Sequence, residues 1–388
     1  MKKGLIALLA LLLCLTLPAC GKQKIDAPDV PDTPALDPAP PEKTPEEWKE
    51  ERLNARIAEM TLEEKVGQLF FVRCPETGAA EDVKNYHLGG LLLFGRDYKN
   101  AGGEWLTQDD FTAAVQSYQA AADIPLFIGS DEEGGTVTRA SKNPNLFSAP
   151  LPSPQELYTA EGMDGLLSTT RTYNEQLKAL GINVNFAPVC DVSTDPGDFI
   201  YARSFGKDAQ TTADYIAKAV TEYEAAGVAC VLKHFPGYGN NVDTHTGIAV
   251  DERSYETFET ADLLPFSAGI AAGAPFVLVS HNIVNCMDAS LPASLSPKVH
   301  EILRGTLGFD GLIVTDDLAM DAVKSYAQDG SVAVLALQAG NDMIVTTDYR
   351  TQIPQVIAAV ERGEIDEREI NAHVYRVLHE KQAIGLID

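Results

Sequence analysis

Three short stretches concentrate side chains able to do chemistry: KHFPGYG (233–239), DTH (243–245) and VTDDLAM (314–320). Asp243 and His245 are two positions apart. If the chain turns back there, the carboxylate reaches the imidazole Nδ1–H. An aspartate so placed fixes the tautomer and stabilises imidazolium, which makes the histidine a proton-transfer group. Asp316 and Asp317 follow the apolar run GLIVT directly. Side chains alternate along a strand, so the two cannot both aim into one cleft. One is available as a nucleophile and the other can cap the next turn; spacing does not say which. Lys233 and His234 stand where another apolar run ends, ahead of a loop that carries Gly237, Gly239 and Gly247.

Other chemistries fit these residues less well. His234, Asp243, His245 and His281 could be metal ligands, but neither HxH nor HExxH occurs. A phosphate cradle would need GxxxxGK[ST], which is absent, and Lys233 precedes the glycines. A carboxylate, an acid-backed histidine and nearby cations suit nucleophilic displacement with proton transfer to a leaving oxygen. Glycoside hydrolysis usually employs two carboxylates. An Asp–His pair could replace one of them.

These groups need elements to bring them together. Eight short, nearly continuous apolar runs span 66–74, 88–97, 125–133, 181–192, 228–237, 274–284, 309–318 and 341–347. Such runs suit strands buried on both faces, as in a parallel sheet. Helical patterns alternate with them at 107–123, 211–227, 255–273 (interrupted at Pro265) and 366–385, and the segment 44–65 is expected to be helical, before the first strand. Eight alternations point to an α/β fold, a single (β/α)8 TIM-type barrel. A doubly wound open sheet would want a Gly-rich loop after its first strand, and VRCPETGAA matches poorly. Polar residues gather at the C-terminal ends of the runs: Arg96, Asp97, Asp131 to Glu133, Asp191, Lys233, His234, His281, Asn282, Asp316 and Asp317. In a barrel these ends form one rim, where catalytic residues sit.

The domain organisation reads as three parts. Residues 1–20, MKKGLIALLALLLCLTLPAC, have the basic start, short apolar run and small-residue exit of an export signal. LPAC followed by Gly resembles a bacterial lipobox, with Cys20 as the lipidated residue. Residues 21–45 are rich in Pro and Asp and read as an extended tether. Residues 46–388 form the barrel. The expected location is therefore outside the cell, lipid-anchored to the outer face of the cytoplasmic membrane. The anchor would be the protein's only membrane contact. A formal net charge of -26 excludes a nucleic-acid-binding role, which needs clustered Lys and Arg. Cys74, Cys190, Cys230 and Cys286 include no CxxC and read as buried free thiols.

KHFPGYG with DTH and VTDDLAM resembles glycoside hydrolase family 3, in particular its bacterial β-N-acetylglucosaminidase branch. DEEGGTVTR (131–139), YARSFG (201–206), PASLSP (292–297) and LRGTLGFDGLIVTDDLAM (303–320) add ordered matches, and the likeness spans about 55–385. The resemblance implies Asp316 as nucleophile, His245 as general acid/base and Asp243 as its orienting partner. It implies Asp131, Arg139, Arg203, Lys233 and His234 as holders of the sugar hydroxyls. No metal and no organic cofactor is implied. The implied reaction is retaining, exo-acting hydrolysis of terminal GlcNAc from peptidoglycan fragments or chitin-type oligosaccharides. A chain ending after the barrel, together with the DTH loop, favours this branch over β-glucosidases whose second domain supplies the acid. Alternatives are an N-acetylglucosaminide phosphorylase, a β-glucosidase or β-xylosidase of the same fold, and a sugar-binding lipoprotein without catalysis. Two positions depart from the family pattern: Tyr238 replaces a common His, and Asp97 a common Asn. Oligomeric state is not legible.

Overall fold

Short apolar runs separated by amphipathic segments bury both faces only by lying side by side beneath a helical layer. In the computed structural model, which describes residues 43–241, 249–320, 323, 326 and 331–388, they do so. The strands in chain order are β1 (Phe70–Arg73), β2 (Gly90–Leu93), β3 (Phe127–Ser130), β4 (Val184–Asn185), β5 (Ala229–Phe235), β6 (Val250–Asp251), β7 (Phe276–Val279), β8 (Ile283–Val284), β9 (Leu312–Thr315) and β10 (Ile344–Thr346). Eight of them form one sheet in the order β10-β1-β2-β3-β4-β5-β7-β9. Each neighbouring pair in it is parallel. A parallel bridge between Val314 and Met343 joins its ends, with Thr315 N–H donating to Met343 O at 3.2 Å and Met343 N–H to Ile313 O at 3.1 Å. All eight expected strands are present, in the arrangement of a (β/α)8 barrel.

The interior is aromatic. The Phe71 ring lies 6.1 Å from Phe127 and 5.2 Å from Phe186, and Phe127 lies 5.3 Å from Phe276. Gly129 makes room for them: a Cβ there would stand 2.7 Å from Phe71 Cζ and 2.8 Å from Phe186 Cε2.

Helices pack outside, and their ends follow sequence signals. Thr107 caps Gln108–Ala121, Asp208 caps Ala209–Ala226, and Gly227 stops the latter with φ 72°. One helical expectation holds as two helices, and two others need correction. The span 44–65 is two helices, Pro45–Glu59 and Leu62–Gln68. Thr61 and Glu64 form a reciprocal capping box, Thr61 N–H to Glu64 Oε2 at 2.7 Å and Glu64 N–H to Thr61 Oγ1 at 3.2 Å, which starts a new helix there. The irregularity expected at Pro265 lies upstream, as a π turn over Phe258–Asp262. Proline lacks the N–H that would bond the preceding turn, so that turn widens. Finally, 274–284 is not one run. It breaks at Ser280, His281 and Asn282, and β8 beyond the break pairs in parallel with β6 as a separate ribbon.

Cys74, Cys190 and Cys230 are buried free thiols, as expected. Cys286 is exposed, because it lies past β8 on a polar loop. No helix among the described residues is long and apolar enough to cross a membrane. Cys20 lies outside the described residues.

Candidate active site

The strand ends place five of the expected residues in direct contact. Asp131 follows β3, and Lys233 and His234 lie near the C-terminal end of β5. Arg203 and Arg139 come from the loops after β4 and β3. Lys233 Nζ donates to Asp131 Oδ1 at 2.8 Å and pairs with Glu133 Oε1 at 2.6 Å. Arg203 grips Glu133 with two bonds, Nε to Oε2 at 2.9 Å and Nη2 to Oε1 at 2.7 Å. Arg139 Nη2 stands 3.7 Å from Asp131 Oδ2.

His234 is held from both sides. Arg203 Nη2 lies 3.0 Å from His234 Nε2, and a guanidinium only donates, so Nε2 is the acceptor. The ring proton therefore sits on Nδ1 and is donated to Asp191 Oδ2 at 2.7 Å. Asp191 also accepts His234 N–H at 3.2 Å and, through Oδ1, Tyr238 N–H at 2.7 Å.

Three carboxylates, Asp131, Glu133 and Asp191, thus face three cations, Lys233, Arg203 and Arg139. This balance lets charges persist with little water. Burial alone would raise the Glu133 carboxyl, but Lys233 and Arg203 outweigh it and hold it well below the usual range. Burial likewise works against the Lys233 charge, yet Asp131 and Glu133 raise its pKa above the ordinary value. Two residues of this network, Glu133 and Asp191, had only a place on the rim in the sequence reading. Their proximity to strand ends was visible; their partners, 43 to 100 positions away, were not.

Among the described residues no acceptor takes the Arg203 Nη1 hydrogens, and Lys233 retains a third N–H beyond its two carboxylates. Asp131 is partly open to solvent. A ligand hydroxyl both donates and accepts, so it suits a wall that offers carboxylate oxygens and N–H groups side by side.

The carboxylate pair on the next sector is differentiated. Asp316 N–H bonds Val279 O at 3.0 Å, so Asp316 directly extends β9 at the rim, half-buried. Its Oδ1 accepts Asp317 N–H at 2.8 Å. Asp317 closes the turn instead, accepting Ala319 N–H at 2.9 Å and the Thr347 hydroxyl at 3.2 Å. Burial raises its pKa. Below it the buried His281 donates from Nε2 to Asp317 O at 3.1 Å, while Nδ1 meets Ser294 Oγ at 2.8 Å. His281 is therefore occupied as a brace. Among the described residues no group of three or more His, Cys, Asp and Glu side chains could hold a metal ion. Asp243 and His245 lie outside the described residues.

The two departures have structural settings. Tyr238 is buried, its ring edge-on to His234 with centroids 5.3 Å apart. Asp97 accepts Phe94 N–H at 2.7 Å and, despite Arg96 beside it, burial raises its pKa.

Comparison with known proteins gives these features a context. Residues 61–379 match the model of the glycosyl hydrolase family 3 N-terminal domain. The β-hexosaminidase LpqI of Mycobacterium tuberculosis is 33% identical over 81% of this chain and 81% of its own length. β-Hexosaminidase A of Pseudoalteromonas piscicida is 28% identical, and the chain spans about half of it, 54%. The solved structure of a family 3 β-N-acetylglucosaminidase from a Paenibacillus strain superposes with a TM-score of 0.77 at 32% identity, covering 84% of this chain and 63% of that one.

Proposed function

Because this chain belongs to glycoside hydrolase family 3, we propose that it is a retaining exo-β-N-acetylglucosaminidase, removing terminal GlcNAc from peptidoglycan fragments or chitin-type oligosaccharides. The observation that carries this reading is the charge-balanced network of Asp131, Glu133 and Asp191 with Lys233, Arg203 and Arg139, braced by His234, at one end of the barrel. It supports recognition of a neutral, hydroxyl-rich ring, which needs donors and acceptors without net charge. Asp131, Arg139, Arg203, Lys233 and His234 hold the sugar in this scheme, and His234 Nε2, by accepting from Arg203 Nη2, also fixes that guanidinium.

Catalysis takes two steps. Asp316 attacks the anomeric carbon as His245 gives its proton to the leaving oxygen. His245 then takes a proton from water, whose oxygen displaces Asp316. Asp243 orients the imidazole throughout. Two displacements at one carbon retain its configuration.

The test is release of 4-nitrophenol from the β-N-acetylglucosaminide and from the β-glucoside, by wild type and Asp316→Asn, with and without phosphate. Turnover of the acetamido sugar alone, lost by at least about a thousandfold in the variant and indifferent to phosphate, is expected. Preference for the glucoside, dependence on phosphate, or an active variant would each overturn a stated part. We also place the enzyme outside the cell, lipid-anchored through Cys20 to the outer face of the cytoplasmic membrane, where wall fragments are available. Incorporation of labelled palmitate into the full-length chain is the measurement for that.

A further inference from the structure

The backbone that carries Arg139 is tightly fixed. The buried Glu132 carboxylate accepts the Arg139 N–H at 3.0 Å and the Ala140 N–H at 2.9 Å. The guanidinium is held far less by hydrogen bonds. Among the described residues its one bond is a long one, from Nη1 to Thr138 O at 3.4 Å. Asp131 Oδ2 stands off at 3.7 Å, and Nε is buried with no hydrogen-bond partner. A long side chain without other support would spread over several rotamers, and a binding group that does so loses its aim.

The support comes from a ring. Arg139 Cζ lies 5.5 Å from the centroid of Phe94, and Arg73 Cζ lies 4.2 Å from the same centroid. Both are within the about 6 Å over which the negative face of an aromatic ring draws a guanidinium. Arg73 shares the ring, its own Nε likewise buried without a partner. Phe94 is a fixed surface. It directly follows β2, its N–H donates to Asp97 Oδ2 at 2.7 Å, and its carbonyl accepts the Asp97 N–H at 2.8 Å. Its half-buried side chain packs on the main core. Asp97 thus clamps the turn that presents the ring. We propose that Phe94 is a positioning residue of the sugar site: its ring sets the direction of the Arg139 guanidinium and so aims the guanidinium N–H groups at the sugar hydroxyls. The inference rests on the glycosidase reading above and adds to it a residue that acts only through Arg139. Glu132 places the backbone of that arginine, and Phe94 places its charge.

A ring that holds by its charge distribution can be told from one that holds by bulk. Fluorine on the ring edge withdraws negative charge from the face at nearly constant shape. The experiment puts 4-fluoro-, 3,5-difluoro- and 3,4,5-trifluorophenylalanine at position 94 of the full chain, beside Phe94→Leu. It reads kcat and KM for 4-nitrophenyl β-N-acetylglucosaminide. KM is expected to climb with each fluorine, reaching about tenfold for the trifluoro ring, the scale of one cation–π contact. Phe94→Leu, which lacks the face, should match it. Unchanged kcat is expected, the pattern of a contact that binds ground state and transition state alike. The same series built on Arg139→Met should be flat, since the ring then has no Arg139 cation to hold. A KM indifferent to fluorination would overturn the proposal, because bulk alone would explain the ring. A climb that persists at full size with Arg139→Met would also overturn it, by assigning the effect to Arg73. If wild type releases no 4-nitrophenol from the acetamido sugar, the glycosidase reading falls and the positioning role with it.

Discussion

Lys233 keeps its charge in a nearly dry setting because Asp131 and Glu133 share it, and Glu133 keeps its own because Arg203 grips it from the far side. Removing one partner of such a set leaves the others uncompensated. Glu133→Gln is therefore expected to lower stability by about 3 kcal/mol at pH 7 and kcat/KM by about a hundredfold, as Arg203 and Lys233 lose their common anchor. The pH dependence follows from the direction of the shift. The folded Glu133 carboxyl lies below its ordinary value of 4.5. Its stabilising contribution is thus complete above that value. It drains away as pH falls, because the unfolded chain takes the proton first. Urea denaturation of wild type and variant should show a gap at pH 7 that narrows steadily below pH ~4.5. A gap independent of pH would mean that Glu133 acts by shape alone. Lys233 and His234 were legible in the sequence because a polar pair ending an apolar run has only the rim to occupy. Their partners Glu133 and Asp191 were not, since nothing in DEEGG or APVCDV names which distant cation each will meet.

Elements were legible where burial is two-sided. Each barrel strand is a run such as FFVR, GLLL or LIVT, continuous because helices cover one face and the barrel interior the other. The two-residue strands β6 and β8 were not, because a pair that short carries no period and depends on its neighbour. The long helix Pro154–Ala179 also escaped, since its few buried residues, among them Leu157, Leu166 and Leu177, are spread over 26 positions and Gly162 breaks its helical geometry. The split at Thr61 was there to be read: T-L-E-E is a capping box followed by an apolar stripe. What pattern reading cannot provide is volume. Gly129 looks like a weakness inside β3, yet it admits the Phe71 and Phe186 rings. Gly129→Ala should destabilise by about 1–3 kcal/mol, against helix and strand propensity, because two rings must leave their rotamers. A variant with an unchanged urea midpoint would show that the interior has slack.

At the scale of the whole molecule, the two ends of the folded unit close the barrel on the side away from the site. Lys65 on the helix Leu62–Gln68 pairs with Glu367 at 2.7 Å, and Lys381 on the final helix donates to Gln68 Oε1 at 2.7 Å, both across more than 300 positions. Lys381 is fully buried, with its Nζ 5.2 Å from the centre of the Phe127 ring. Burial, with Arg56 adding repulsion, holds its pKa well below 10.5. The slope has the same sign as for Glu133, since both pKa values lie below their unfolded values, but here the shift costs stability wherever the unfolded lysine is charged. A lysine depressed in the fold makes the unfolded chain the better proton acceptor, so stability rises with pH between the folded value and 10.5. Lys381→Met removes that proton. The stability of wild type relative to the variant should therefore climb by about 1.4 kcal/mol per pH unit while the folded lysine is neutral and the unfolded one charged. Denaturation curves at pH 7, 8 and 9 measure it. A flat difference would mean that Lys381 remains protonated in the fold, sustained by Gln68 and the Phe127 face against the cost of burial.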